Sequence, residues 1–269
     1  MKRTLLFIKR NFLEMVRDPL VYIFCAGFPI AMCLLFQLIV RNTSEVLPTF
    51  SIKSLVPGIS IFSYSLLMLM GGLLISKDRT SAFLRRLFTS PLKSYQFIIG
   101  YFVPFFLIGI VQTLISLSMG YIFSAVDGVL FASFSKALLF IVSMFPIMII
   151  NIALGMVFGT LMNDKSAPAI SSIFVSASGI LGGAWMPLET MGGFETFAKF
   201  LPFYPSTSLG RMILGAPYLS YDANGVASVI SYTFNNDGIL YIVNALVYMV
   251  VIVSLSLVLF RKKMSSDRL

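Results

Sequence analysis

The sequence predicts an all-α membrane protein with six transmembrane helices, and two observations support this fold class. Hydrophobic residues make up 58% of the 269 residues and charged residues only 12%, whereas about a quarter of a soluble domain is charged. The mean hydropathy of +0.92 excludes a soluble fold, which could not bury so much apolar surface. Six uncharged runs are each long enough to cross a hydrocarbon core of roughly 30 Å; they are residues 19–40, 54–76, 94–126, 137–163, 166–188 and 238–260.

The first predicted element is an amphipathic helix over residues 1–18. Its apolar residues fall on one arc and its charged residues on the opposite arc when the chain turns by about 100° per residue. The apolar arc holds Leu5, Ile8, Phe12, Met15 and Val16, and the charged arc holds Arg3, Arg10, Glu14 and Arg17. Such a helix lies in the membrane interface, either as a plain lipid anchor or as a functional contact. Asp18 and Pro19 end it and turn the chain into the membrane.

The loop between the second and third runs, residues 77–91, predicts a short surface helix. Capping residues begin it, two apolar pairs at i,i+4 spacing stabilise it, and Pro91 ends it. The capping candidates are Asp78, Thr80 and Ser81, and the pairs are Phe83 with Leu87 and Leu84 with Phe88. Aromatic and arginine side chains anchor protein interfaces, so this helix is a candidate docking surface. The alternative is a solvated basic turn beside anionic lipid headgroups.

The longest connection, residues 187–237, keeps an apolar character. Large apolar residues recur among its glycines and prolines: Leu188, Met191, Phe194, Phe197, Phe200, Leu201 and Phe203. We therefore predict short amphipathic or re-entrant helices that enter the outer leaflet, with Pro202 and Pro205 as breakers. This segment either shields the protein from lipid or forms part of a substrate exit.

The distribution of lysine and arginine predicts the orientation. If the six runs span the membrane in turn, 15 of these residues lie on the side of the termini and 5 on the other side, the latter being Arg41, Lys53, Lys136, Lys199 and Arg211. Both termini are therefore expected in the cytoplasm, with residues 261–269 as a basic cytoplasmic tail. An even number of spans is required, and six satisfies this condition.

The six runs contain no Asp, Glu, Lys or Arg, and the chain contains no histidine. Carriers coupled to ions or protons generally place ionisable groups in the membrane, so the sequence disfavours ion coupling. It also offers no clustered groups for catalysis, a cofactor or a metal. The polar residues inside the runs include Gln37, Gln112 and Asn151. They either line a path for an amphipathic substrate or form hydrogen bonds between helices.

The layout as a whole resembles the permeases of ABC-2-type transporters, which are membrane subunits of ATP-binding-cassette exporters. The resemblance rests on the 77–91 loop, the amphipathic first helix, the six-span spacing and the exit from the fifth run at residues 182–187, followed by an apolar outer segment. It implies that ATPase subunits bind the first helix and the 77–91 helix, and that a second permease subunit completes a homodimer or heterodimer. The implied coupling residues are Arg79, Phe83, Leu84, Arg85, Arg86, Leu87 and Phe88.

The chain has no G-x-x-x-x-G-K-[ST] phosphate-binding motif, so ATP and Mg²⁺ would be held by the partner ATPase. We expect one transmembrane domain over residues 19–260 in a bacterial plasma membrane, with lipid but not nucleic acid as a further partner. The expected function is export of a drug, peptide antibiotic, lipid or lipid-linked glycan. The alternatives are an ATP-independent carrier or channel and a lipid-modifying membrane enzyme.

We predict that a reporter fused after Arg261 reads as cytoplasmic and that the same reporter placed within residues 187–237 reads as external. The reason is the division of basic residues between the two sides. A paired phosphatase and fluorescent-protein fusion measures the location of each site. A periplasmic or extracellular reading after Arg261 would contradict this topology.

Overall fold

A computed structural model describes residues 2–43, 48–81, 94–163, 165–221 and 227–266. The described residues are mostly helical, and the termini of the helices follow the breaks in apolar sequence. The helices are α1 (Lys2–Arg17), α2 (Pro19–Tyr22), a π-helical turn (Ile23–Gly27), α3 (Phe28–Asn42), α4 (Ile52–Thr80), α5 (Ser94–Val126), α6 (Phe134–Leu161), α7 (Ser166–Leu181), α8 (Gly193–Phe200), α9 (Phe203–Leu214) and α10 (Asn236–Ser266).

Within the described residues, five helical stretches are long and apolar enough to cross a membrane. They are Pro19–Asn42, which joins α2, the π-helical turn and α3, and the helices α4, α5, α6 and α10. These stretches agree with five of the six predicted spans. Helix α10 continues to Ser266 and so takes in the first part of the predicted tail 261–269.

The predicted fifth span, residues 166–188, ends earlier than expected. Helix α7 has 16 residues, which is about 24 Å at a rise of 1.5 Å per residue, short of a hydrocarbon core of roughly 30 Å. The chain turns after Leu181, where Gly183 adopts a φ of 60° that other residues rarely adopt. The helix thus ends before the uncharged run does, at the point where the exit from the fifth run was placed (residues 182–187), and the count of six spans stays a prediction.

Helix α4 is the centre of the bundle. It packs against α5, α6, α7 and α9, and its most apolar window is 83% buried. It makes a close contact with α6, where Gly155 faces the backbone of Met68; a Cβ at Gly155 would lie 2.6 Å from the Met68 carbonyl oxygen. The two helices approach closely because the glycine has no side chain. The Gly155-x-x-x-Gly159 spacing is thus used for packing inside the subunit.

The fold agrees with an all-α membrane protein, but the segment 187–237, predicted as short helices, also contains one two-stranded hairpin that was not predicted. Strands β1 (Pro217–Tyr221) and β2 (Ala227–Ser231) pair antiparallel, with Pro217 opposite Ser231. Tyrosine, valine and isoleucine favour strands, and the sequence Asn224-Gly225 between them is a strong hairpin signal. The two short helices of the segment differ in environment. Helix α8 leaves Phe197 and Phe200 exposed, whereas α9 is buried along its whole length.

We predict that Gly155→Ala lowers the free energy of unfolding by about 1–3 kcal/mol, because the added methyl group forces α6 away from the α4 backbone. Gly193→Ala is the matched control, since a Cβ at Gly193 meets no atom within 4 Å. Thermal unfolding of both variants in detergent measures the difference. Equal stability of the two variants would mean that α4 and α6 tolerate separation at this contact.

Candidate functional site

The end of α4 that carries Asp78 forms a buried polar site with residues of two other helices. Asp78 is only 2% exposed. Arg10 of α1 donates two hydrogen bonds to its carboxylate, at 2.8 Å and 3.0 Å, and Tyr101 of α5 donates a third at 2.8 Å. A paired guanidinium with two parallel bonds is among the strongest arrangements for a carboxylate. One carboxylate therefore joins three helices.

Asp78 and Thr80 were predicted as possible caps of a separate helix over residues 77–91, and this was wrong. Helix α4 continues without a break to Thr80, so both residues lie inside its last turn. The charged residues at this position suggested the end of a span. They can remain in the helix because Arg10 of α1 neutralises the buried carboxylate of Asp78, which therefore does not need to be exposed to water.

Helix α1 is held against α5 by residues spaced four apart. Asn11 donates a hydrogen bond to the carbonyl oxygen of Gly100 at 2.9 Å. The ring of Phe7 occupies the space above Gly100, where a Cβ would lie 2.1 Å from the ring. Phe7 also makes an edge-to-face contact with Tyr101, with ring centroids 5.2 Å apart. Met15 completes the buried face.

This face differs from the apolar arc predicted for residues 1–18. Leu5 is 62% exposed and Val16 is 37% exposed, so these two members of the arc do not pack into the bundle. Hydropathy alone selected the arc, whereas the buried face contains the polar residue Asn11 because its amide finds a backbone acceptor on α5. The exposed apolar residues remain available to lipid.

The charges around Arg10 keep it protonated. Burial by itself lowers the pKa of Arg10, but the hydrogen bond to Asp78 and the negative charges of Asp78 and Glu14 outweigh it and raise the pKa above its ordinary value. One carboxylate oxygen of Glu14 lies 2.6 Å from the guanidinium of Arg10, and the other lies 3.6 Å from Nζ of Lys77. Arg10 and Lys77 thus both face acidic partners, which join α1 to the end of α4.

Arg79 extends the site to α6. Its guanidinium donates to the carbonyl oxygens of Gly159 and Met162 at 3.2 Å and to that of Thr160. These carbonyls end α6, where helical carbonyl groups lack partners and the helix dipole is negative. Neighbouring residues in the last turn of α4 therefore tie it to α1 and α5 through Asp78 and to α6 through Arg79.

Among the predicted coupling residues, only Arg79 is described. The others lie outside the described residues: Phe83, Leu84, Arg85, Arg86, Leu87 and Phe88. Their role in docking stays a prediction. Arg79 stands at the base of that segment and makes the contacts within the chain described above.

The structure does not bring the predicted substrate-path residues together by hydrogen bonds. Gln37 of α3 donates to the carbonyl oxygen of Phe50 at 3.2 Å, and Gln112 of α5 donates to that of Ser63 on α4 at 3.2 Å. Asn151 of α6 donates to Ile147 in its own helix at 2.9 Å. The side-chain oxygens of Gln112 and Asn151 are buried without a partner among the described residues. A path along these residues stays a prediction.

A second ionic cluster, which the sequence did not reveal, ties the opposite end of α4. Arg211 of α9 is 1% exposed, and it donates to the carbonyl oxygens of Ser54 at 3.3 Å and Gly183 at 2.7 Å. It also pairs with Glu189 at 3.1 Å, and Tyr232 donates its hydroxyl hydrogen to the same carboxylate. Burial raises the pKa of Tyr232, so it remains a donor. Charge counting had placed Arg211 only as an external cation.

The family model described as ABC-2 type transporter matches residues 2–215, which include the Asp78 site and the Arg211 cluster except for Tyr232. No curated protein matches the chain.

We predict that Arg10→Gln lowers the free energy of unfolding by about 2–3 kcal/mol, because it leaves the buried Asp78 carboxylate without its counter-ion. The cost is below that of a fully buried pair because the Arg10 side chain is 33% exposed. Adding Asp78→Asn should recover part of the loss, since no buried charge then remains. Unfolding in detergent measures the two variants and their double variant.

The exposed Lys9 supplies the control, because Lys9→Gln removes one positive charge from the same helix. A double variant whose loss equals the sum of the single losses would show that the Arg10 and Asp78 charges do not depend on each other, and a larger loss would also contradict the pairing.

Proposed function

The chain belongs to the ABC-2 type transporter family and is a permease of an ABC-type transporter, and we propose that it is the membrane subunit of an ATP-driven exporter. Its cargo is a hydrophobic or amphipathic molecule, such as a drug, a peptide antibiotic, a lipid or a lipid-linked glycan. The uncharged interiors of the predicted spans support this choice, because an apolar cargo needs no ionic partner in the membrane.

One observation supports the coupling to ATP most directly. Residues 82–91, which contain the predicted docking residues, follow at once from the last turn of α4, and Asp78 and Arg79 tie that turn to α1, α5 and α6. A displacement of the 82–91 segment by an ATPase would therefore reach four helices together. This connection is what a coupling segment needs in order to convert docking into a change in the bundle.

The composition of the complex follows from what the chain lacks. The sequence contains no phosphate-binding loop, so we place ATP and Mg²⁺ on separate ATPase subunits. A second permease subunit, identical or related, completes the transporter. The division of basic residues supports cytoplasmic termini in a bacterial plasma membrane, which is the side on which an ATPase could reach both α1 and the 82–91 segment.

We predict that Phe83→Ala and Leu87→Ala each weaken capture of the ATPase by about 1–3 kcal/mol of association free energy, as the loss of a buried interface anchor does. Arg86→Ala should have a smaller effect that changes with salt, because an exposed charge is screened. The measurement is pull-down of a co-expressed Walker A ATPase by the tagged permease, together with ATP hydrolysis and transport.

Expression of all variants at the same membrane level is the control for insertion. Capture that is unchanged in the Phe83 and Leu87 variants would contradict the docking role. A dominant effect of Arg86→Ala on membrane yield, with capture intact, would instead indicate a basic turn that contacts lipid.

A further inference from the structure

A cavity of about 880 Å³ lies beneath the bend between α1 and α2 and reaches α4 and α5. This volume is in the range of sites that bind small molecules, about 300–1,000 Å³. Its inner surface is apolar and is formed by Met15, Val21, Met70, Leu73, Leu74 and Phe105. The coupling proposed above gives no role to this apolar floor, although Arg10, Glu14 and Lys77 near Asp78 also line the cavity.

The mouth of the cavity carries charges of both signs. Its lining includes the cations Arg10, Arg17 and Lys77 and the anions Glu14 and Asp18. Asp78, which pairs with Arg10, brings the number of negative charges to three. The mouth is therefore close to neutral as a whole. A ligand with a single net charge would gain little from it.

Two groups at the mouth are still open to a ligand. Arg17 is exposed and makes no ion pair among the described residues. Asp18 uses one carboxylate oxygen, Oδ1, to cap the next helix through the N–H of Leu20 at 2.9 Å, which leaves its second oxygen for another donor. An unpaired cation thus stands next in sequence to a half-used carboxylate.

The position of the cavity selects the kind of molecule that can enter. Helix α1 has the amphipathic pattern of a helix at the membrane surface, and the chain enters its first span directly after the bend. The edge residues Leu13 and Leu20 are exposed, so an apolar chain on the cavity floor can continue past them into the bilayer. A water-soluble zwitterion would leave the floor in contact with water.

We propose that this cavity binds one zwitterionic phospholipid from the leaflet next to α1. Its acyl chains lie on the apolar floor, its phosphate binds Arg17 beside Lys77, and its ammonium group binds Asp18 beside Glu14. An anionic lipid without an ammonium group would leave these carboxylates facing a negative headgroup. The site does not depend on an ATPase partner, and it adds a lipid contact to the helix that Arg10 ties to α4.

The test uses the purified full-length chain in detergent, incubated with phosphatidylethanolamine, phosphatidylcholine or phosphatidylglycerol and examined by native mass spectrometry. We expect one phosphatidylethanolamine to be retained, with an affinity about tenfold above that for phosphatidylglycerol, the worth of one charge-assisted hydrogen bond. Phosphatidylcholine should bind less tightly than phosphatidylethanolamine because its quaternary ammonium has no N–H donor.

Matched variants separate the site from general attraction to the membrane. Arg17→Gln and Asp18→Asn should each weaken binding of phosphatidylethanolamine about five- to tenfold, and Asn at position 18 preserves the helix cap. Lys9→Gln removes the same charge from an exposed position of α1 outside the cavity and should leave binding unchanged. Leu74→Trp should fill the floor and expel the lipid, whereas Leu246→Trp on the exposed side of α10 should not.

Equal retention of the three lipids would overturn the proposal, as would equal effects of Arg17→Gln and Lys9→Gln. Retention of a different amphiphile in place of phospholipid would also overturn it and would identify the cavity as a cargo site. If Leu74→Trp fails to fold, the two polar variants still decide the question. Because no ATPase is present, failure here leaves the exporter proposal standing, and failure of ATPase capture leaves this site standing.

Discussion

The carboxylate of Asp78 is removed from water almost completely, and the arrangement of the surrounding helices follows from the need to satisfy it. A buried carboxylate without a counter-ion costs several kcal/mol, so Arg10 must lie beside it and α1 must lie across the end of α4. Tyr101 must approach from α5, and Gly100 leaves the room in which Phe7 packs. The cavity under the bend exists because α1 is held in this position. The segment 82–91, proposed above to dock an ATPase, follows the same turn in the sequence.

Helix α4 is held by cations at both ends. Arg211 binds the carbonyl oxygen of Ser54 near its beginning, and at its other end Arg10 pairs with Asp78. Between the ends, close packing against α6 leaves little freedom for sliding. The helix is therefore suited to move as a rigid body together with its neighbours. A displacement at the Asp78 end of α4 would thereby reach the opposite end, where Arg211 also holds Glu189 and the turn at Gly183.

The spans could be predicted from sequence because a helix in lipid must satisfy its own backbone and present apolar side chains. The run 94–126 matches α5 as it stands in the structure. The uncharged run 54–76 ends four residues before the end of α4 at Thr80. The charges of Lys77, Asp78 and Arg79 indicate the end of a span when only hydropathy is considered, because the partners that neutralise them are not visible in the sequence. Those partners are far away in sequence, 68 residues in the case of Arg10 and Asp78. Hydropathy carries no information about such pairs, and for the same reason the ionic cluster of Arg211 could not be predicted.

The hairpin could have been predicted from the sequence. Asn224-Gly225 is a turn signal, but the apolar residues around it favoured the prediction of short helices.

The distance along the chain between Arg10 and Asp78 also orders the assembly of the protein. Helix α1 is synthesised long before α4 and α5, so its buried face has no binding surface while the first span enters the membrane. Its final docking requires that α4 and α5 have been inserted with the correct orientation. We therefore expect α1 to be seated only after α4 and α5 are in place, so that a chain with wrongly inserted spans would keep an unattached α1.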